Sequence, residues 1–327
     1  MRVDAVEFYS GIGGMHYALR EACPGSRVLA AFDINTTANM VYAFNFPETP
    51  LCQNNIQAIT VESLEKLNAQ LWTMSPPCQP FTKKGLQQGL DDHRCDSFMA
   101  LLEKLKHLKN RPRYILLENV VGFEDSRAHG QLLSTLAELQ YGYQEFILSP
   151  VQFGVPNSRP RYYLLANSNW PKAGYCSGEV LMSLECDRHF ETEEISGFLE
   201  EPVEPLRLSK DSLERYGSAV DIVTPSSTRS ACFTKSYGSY FSGCGSYLCS
   251  RLDFVEGNRL TVHALADPLQ LVDVVRSFSP REVANLMCFP VEFNAPPHIT
   301  VKQMYRCLGN SVNMRVVAAL LRTLLQT

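Results

Sequence analysis

The sequence predicts an α/β fold, a doubly wound and mostly parallel sheet, accompanied by a smaller second domain. Three observations lead there. Over the first 166 residues, short apolar strands alternate with amphipathic helices, a rhythm that calls for right-handed crossovers. Polar signals recur at the carboxyl ends of those strands, where such sheets hold ligands. After residue 167 the rhythm stops, and helical patterning returns only at Pro280.

Residues 3–8 read as the first strand, followed by the turn Ser10-Gly11-Ile12-Gly13-Gly14. Met15, Ala18, Leu19 and Ala22 fall at i, i+3, i+4 and i+7, one face of the next helix. Residues 28–32 form a strand ending at Asp33, with a helix through Met40 and Val41 behind it. Residues 71–75 make a third strand that runs into Pro76-Pro77-Cys78-Gln79-Pro80, and Phe98, Leu101, Leu102, Leu105 and Leu108 mark the following helix. Residues 114–117 form a strand with Glu118 at its end, Leu132, Leu136 and Leu139 a helix, and residues 146–148 and 162–166 two more strands. The expected division is 1–166 with 280–327 as the larger domain and 167–279 as the smaller one. Nine acids between Glu179 and Glu204 point to a solvated, mobile loop there.

Composition narrows the function. The chain has 30 Lys+Arg against 34 Asp+Glu, which excludes a bulk polycation while leaving room for a local basic patch. No apolar run reaches the roughly 18 residues of a membrane span. The start lacks a signal-peptide apolar core, so the expected location is the cytoplasm, with the nucleus as an alternative. The 11 cysteines are scattered and odd in number with no C-x-x-C, and they read as thiols, with no metal site among them.

Four groups carry chemistry. Gly11-x-Gly13-Gly14 opens a helix, and Asp33 closes the next strand, a place to hold ribose hydroxyls, so the pair suits an adenosine cofactor. His16 stands where a dinucleotide enzyme has its third glycine, which counts against a dehydrogenase. Three prolines around Cys78 fix the backbone and remove amide donors, a setting suited to a nucleophile. Glu118, buried among apolar strands, is expected to have a raised pKa and to donate a proton or hydrogen bond to a substrate ring. Arg159 and Arg161 alternate on an expected strand and would share one face. Residues 82–96, with Lys83, Lys84 and Arg94, read as a lid that touches phosphate. Lys104, Lys106, Lys109, Arg111 and Arg113 form a second basic cluster, either a phosphate contact or a solvated helix end.

In order and spacing these segments resemble the cytosine-5 methyltransferases. Tyr9-Ser10-Gly11-Ile12-Gly13-Gly14 is similar to the family's first motif, Pro76-Pro77-Cys78-Gln79 to its catalytic loop, and Glu118-Asn119-Val120 to its acid motif. Asn157 to Arg161 resembles a Q-x-R-x-R motif, and Arg281-Glu282 to Pro290 and Gly309-Asn310-Ser311-Val312 resemble the last two. The resemblance implies S-adenosyl-L-methionine as cofactor, held by residues 9–14, Asp33, Ile34, Asn55, Ile56, Ser75, Pro76, Asn310 and Ser311. It implies catalysis by Cys78, Glu118, Arg159 and Arg161. Asn55 and Asn157 depart from the usual Asp and Gln. Cys232-Phe233-Thr234 is similar to the signature of the tRNA-aspartate methyltransferase branch, which implies a tRNA substrate contacted by those residues, with core packing the alternative for Cys232; a monomer is expected. The rival readings are a DNA cytosine methyltransferase and a silent nucleic-acid-binding protein.

Overall fold

The computed structural model describes residues 2–77, 96–170, 178–184, 190–201 and 206–326. Packing divides the chain into two compact units: Met1–Leu148, Pro160–Cys186 and Met314–Thr327, and Ser149–Arg159 with Asp187–Asn313.

The first unit is built on an eight-stranded sheet. Its strands are β1 (Asp4–Phe8), β2 (Arg27–Phe32), β3 (Leu51–Cys52), β4 (Leu71–Met74), β5 (Tyr114–Val120), β6 (Gly142–Leu148), β7 (Arg161–Asn167) and β8 (Val180–Leu181), in the spatial order β3-β2-β1-β4-β5-β7-β6-β8. β1 pairs in parallel with both β2 and β4, so the strand order reverses at β1, the place where open sheets of this kind bind ligands. Leu71, Trp72, Thr73 and Met74 are all buried, as a strand covered on both faces requires. Helices α1 (Gly14–Ala22), α2 (Thr36–Asn45), α3 (Val61–Leu67), α4 (Asp96–His107) and α5 (Arg127–Glu138) connect the strands. Asn35 caps α2 by accepting from the Ala38 amide at 3.1 Å, Thr60 caps α3 and Ser126 caps α5. The core joins Val6, Phe8, Trp72, Met74 and Leu117 to Phe98, Leu101 and Leu105 of α4.

The one antiparallel insertion, β7 between β5 and β6, matters most for the site. Val120 pairs with Arg161 and Glu118 with Tyr163, so the beginning of β7 lies at the carboxyl edge of the parallel strands. β5 extends through Val120, which keeps Glu118 inside the strand instead of beyond its end. The basic residues 104–113 sit before β5, at the opposite, amino edge. Lys106 pairs with Glu138 at 2.9 Å, and Arg111 donates to the Leu105 and Lys106 carbonyls at 3.3 and 3.1 Å, so these groups finish a helix end.

The second unit carries a three-stranded sheet in the order Val275–Ser277, Ser246–Cys249, Asp221–Val223. Its core is aromatic: Phe233 packs edge-on against Tyr237 (4.9 Å) and Phe278 (5.3 Å), and Tyr237 against Tyr305 (4.9 Å). Two expectations change here. Residues 280–313, expected with the large sheet, group with this unit. The reason is local: Arg276 and buried Glu282 form an ion pair at 2.7 Å, and Asn313 donates to the Leu286 carbonyl at 3.1 Å. The acidic stretch is also less loose than its charge implied. Val180–Leu181 adds to the edge of the first unit's sheet, and the 3-10 turn Ile195–Phe198 buries both of its apolar ends. Amides of Ile195 and Ser196 donate to Ser227 and Pro225, both at 2.8 Å. Residues 185–189 and 202–204 of that stretch lie outside the described residues.

Candidate active site

The turn between β1 and α1 is folded for a ligand. Tyr9 (φ 57°), Gly11 (54°) and Gly13 (84°) all have left-handed backbones, and Gly13 has no alternative. A Cβ there would overlap the Phe46 ring and approach the Tyr42 ring to 3.2 Å. Gly13 caps α1 without a side-chain acceptor and no acid stands in the first turn, so the helix N-terminus is left to other partners. Asp33, just past β2, accepts from the Gly11 amide at 2.8 Å and the Asn35 amide at 2.7 Å. Burial raises its carboxyl above the ordinary range. Two amides use about half of the roughly four lone-pair positions of a carboxylate, leaving capacity for hydroxyls.

This set fits the adenosine part of S-adenosylmethionine. Ser10 Oγ and Asn39 Oδ1 are buried and have no partner among the described residues, and Ile34, beside Asp33, is an apolar side chain 69% exposed. Unsatisfied buried acceptors and an uncovered apolar face are what a bound nucleoside would correct. Ile12 and Ile56 are buried, Ile56 within the core. Asn55 is exposed at the start of a short turn beside Ile56. Its Oδ1 accepts from the Gln57 amide at 3.0 Å and its Nδ2 donates to Gln57 Oε1 at 2.8 Å, which caps a short 3-10 turn.

The acid sits on the same edge. Glu118 is buried, and Arg161 Nε lies 3.5 Å from its Oε1. The burial expected for this carboxyl is present, but a guanidinium faces it, so charge and burial act against one another. Asn119, named in the acid motif but given no role of its own from sequence, donates to the Pro76 carbonyl at 3.4 Å and ties β5 to the segment after β4. An amide directly after an acid at a strand end was the signal available. Ser75 donates its amide to Phe8 at 3.4 Å. Cys78, Lys83, Lys84 and Arg94 follow Pro76-Pro77 but lie outside the described residues.

Arg159 behaves unlike Arg161. β7 begins at Arg161, so strand alternation does not reach Arg159 and does not pair the two side chains. Arg159 is 2% exposed, within the second unit, and donates to the carbonyls of Phe233 (3.0 Å), Gly309 (3.0 Å) and Ser311 (2.5 Å) and to Cys232 Sγ (3.3 Å). One planar fork pins two chain segments. Gly309 packs against Thr234 and Lys235 with no room for a Cβ. Asn157 donates to Ser230 Oγ (3.1 Å) and the Ala231 carbonyl (3.0 Å) and steadies the same segment. Phe233 departs from its expected substrate contact, since its ring is core. Thr234 donates its amide to the Cys244 carbonyl at 3.0 Å. Asn310 caps the helix Val301–Gly309, and Ser311 is nearly buried.

Comparison with known proteins agrees with this geometry. A family model described as C-5 cytosine-specific DNA methylase matches residues 3–240 and 252–326. The tRNA (cytosine(38)-C(5))-methyltransferase of Homo sapiens is 39% identical, covering 98% of each chain. The DNA (cytosine-5)-methyltransferase of Dictyostelium discoideum is 36% identical, covering 99% of this chain and 94% of its own. A crystal structure of a Spodoptera frugiperda DNMT2 mutant superposes with a TM-score of 0.86 at 40% identity, covering 98% of this chain and 99% of that one. With the glycine turn, Asp33, Glu118 and Arg161 in place on one sheet edge, the chain belongs to the C-5 cytosine-specific methylase family.

Proposed function

We propose that this chain methylates carbon 5 of a cytosine in tRNA, at position 38 in the anticodon loop, from S-adenosylmethionine and through a covalent cysteine adduct. One observation carries the reading: β1, β2, β4, β5 and β7 deliver the glycine turn, Asp33, the Pro76-Pro77 lead into Cys78, Glu118 and Arg161 to a single edge of one sheet. The tRNA name of the human relative favours RNA over DNA.

Carbon 5 of cytosine is a weak nucleophile until the ring is altered. Cys78, as thiolate, adds to carbon 6, and Glu118 hydrogen-bonds or protonates ring nitrogen 3 so that the electron pair returns to carbon 5. Arg161, held against Glu118, orients that carboxyl and favours the thiolate through its charge. S-adenosylmethionine, when bound, supplies the methyl group as an electrophile beside this edge. Loss of the carbon 5 proton then expels the Cys78 thiolate and restores the ring. Lys83, Lys84 and Arg94 meet the phosphates around the target, and the base leaves its stack more cheaply from an RNA loop than from a duplex. Arg159 positions residues 232–234 and 309–311 without touching the base. The enzyme acts as a monomer in the cytoplasm or nucleus, and no helix among the described residues is long and apolar enough to cross a membrane.

The test is transfer of labelled methyl from S-adenosylmethionine to total tRNA and, separately, to duplex DNA. Label in one cytosine of tRNA is expected. Label in duplex DNA alone would replace this reading with that of a DNA methyltransferase.

A further inference from the structure

Beneath the glycine turn lies a buried polar chain that the reaction does not use. Glu7 on β1 is 1% exposed, and the Tyr42 hydroxyl of α2 hydrogen-bonds its Oε2 at 3.1 Å. His16 of α1 places Nδ1 2.9 Å from that same hydroxyl oxygen and stacks its ring on Phe46, with centroids 3.8 Å apart. Tyr42 and Phe46 are the two rings that a Cβ at Gly13 would strike. The three polar groups therefore join β1, α1 and α2 directly under the segment whose amides face Asp33. Buried polar groups linked in this way hold a geometry in place because each is costly to leave unpaired.

We propose that Glu7, Tyr42 and His16 form a positioning network that sets the Gly11–Gly14 turn in its ligand-accepting conformation. The inference rests on the reading of that turn as the S-adenosylmethionine site. The hydroxyl of Tyr42 is the link, since its single proton serves either Glu7 or His16. A neutral Glu7 donates a hydrogen bond to the Tyr42 oxygen and leaves the Tyr42 proton for His16, whereas an ionised Glu7 accepts the hydrogen bond from Tyr42, whose oxygen then accepts from His16. Burial raises the Glu7 carboxyl to about 8, with the Asp33 charge adding to it, and burial with the nearby Arg20 charge lowers His16 to about 3, so the network stands in its neutral form near pH 7.

Tyr42→Phe keeps the ring against Gly13 and Phe46 and removes only the link. Two readouts on the full chain test it: amide hydrogen exchange at residues 11–14 in the free protein, and the S-adenosylmethionine dissociation constant by equilibrium dialysis. Exchange at 11–14 should accelerate about ten-fold while the sheet core stays protected, and cofactor binding should weaken about ten-fold with kcat at saturating cofactor unchanged. Glu7→Gln, which keeps a donor and an acceptor, should bind within two-fold of the unaltered protein at pH 7 and, unlike it, show no weakening above pH 8. Unchanged exchange and binding in Tyr42→Phe would overturn the proposal, as would exchange raised equally throughout the first unit. Unaltered protein that takes up no S-adenosylmethionine would instead overturn the cofactor reading, and the exchange measurement stands apart from that because it needs no ligand.

Discussion

Glu118 and Arg161 lie 3.5 Å apart, and in the proposed reaction the carboxyl serves ring nitrogen 3 of the substrate. Glu118→Gln preserves shape and hydrogen bonding but has no acidic proton to transfer. It should lower kcat by two to four orders of magnitude, in the range of general acid catalysis, with tRNA affinity within about three-fold. A loss of affinity with kcat intact, seen in single-turnover kinetics against filter binding, would give Glu118 another role. Glu7 and His16 make a second prediction at this scale, in stability. Glu7, raised from 4.5 to about 8, binds more protons folded than unfolded between those values, so it takes stability away as pH rises. His16, lowered from 6.5 to about 3, binds fewer protons folded, so it adds stability as pH rises across that span. The two slopes cancel from about pH 4.5 to 6.5. From 6.5 to 8 the Glu7 slope is no longer offset by His16, and Glu7 alone should lower stability by up to about 1.4 kcal/mol per pH unit. Glu7→Gln should flatten that limb in denaturant titrations, and an unchanged limb would contradict the buried acid.

Among the elements, the segment from Ser149 to Arg161 shows where sequence reading reached and where it stopped. A polar residue at the end of an apolar strand is visible in the chain, and so the glycine turn, Asp33 and Glu118 were legible. Arg159 was not, because its partners are 74 residues away at Phe233 and 152 away at Ser311, and a strand alternation that looked local ends before it. His16 with Tyr42 was hidden for the same reason, at a separation of 26 residues. In the stretch 179–204 the acids masked two apolar anchors, Ile195 and Phe198, which packing singles out and charge counting does not. Arg159→Lys tests the new assignment. A lysine ammonium cannot reproduce the planar fork on three carbonyls, so the second unit should lose about 3–5 kcal/mol, within the range for breaking a buried charged network. A thermal melt matching the unaltered protein would return Arg159 to a role at the base.

For the whole molecule, a net charge of −4 coexists with a reaction on a polyanion, which places recognition in local groups and chemistry in one sheet edge. The fold class, the strand order around β1 and the family are all consistent with that edge as the reacting centre. The proposed reaction turns on a transient bond between the Cys78 sulfur and carbon 6 of the target cytosine. Fluorine at carbon 5 cannot be lost as a proton is, so tRNA carrying 5-fluorocytosine should halt the reaction with the bond intact. In the presence of S-adenosylmethionine, the unaltered protein should form a complex with that tRNA that survives denaturing electrophoresis, and Cys78→Ala should form none. A surviving complex with Cys78→Ala, or none with unaltered protein that still methylates ordinary tRNA, would contradict the covalent account.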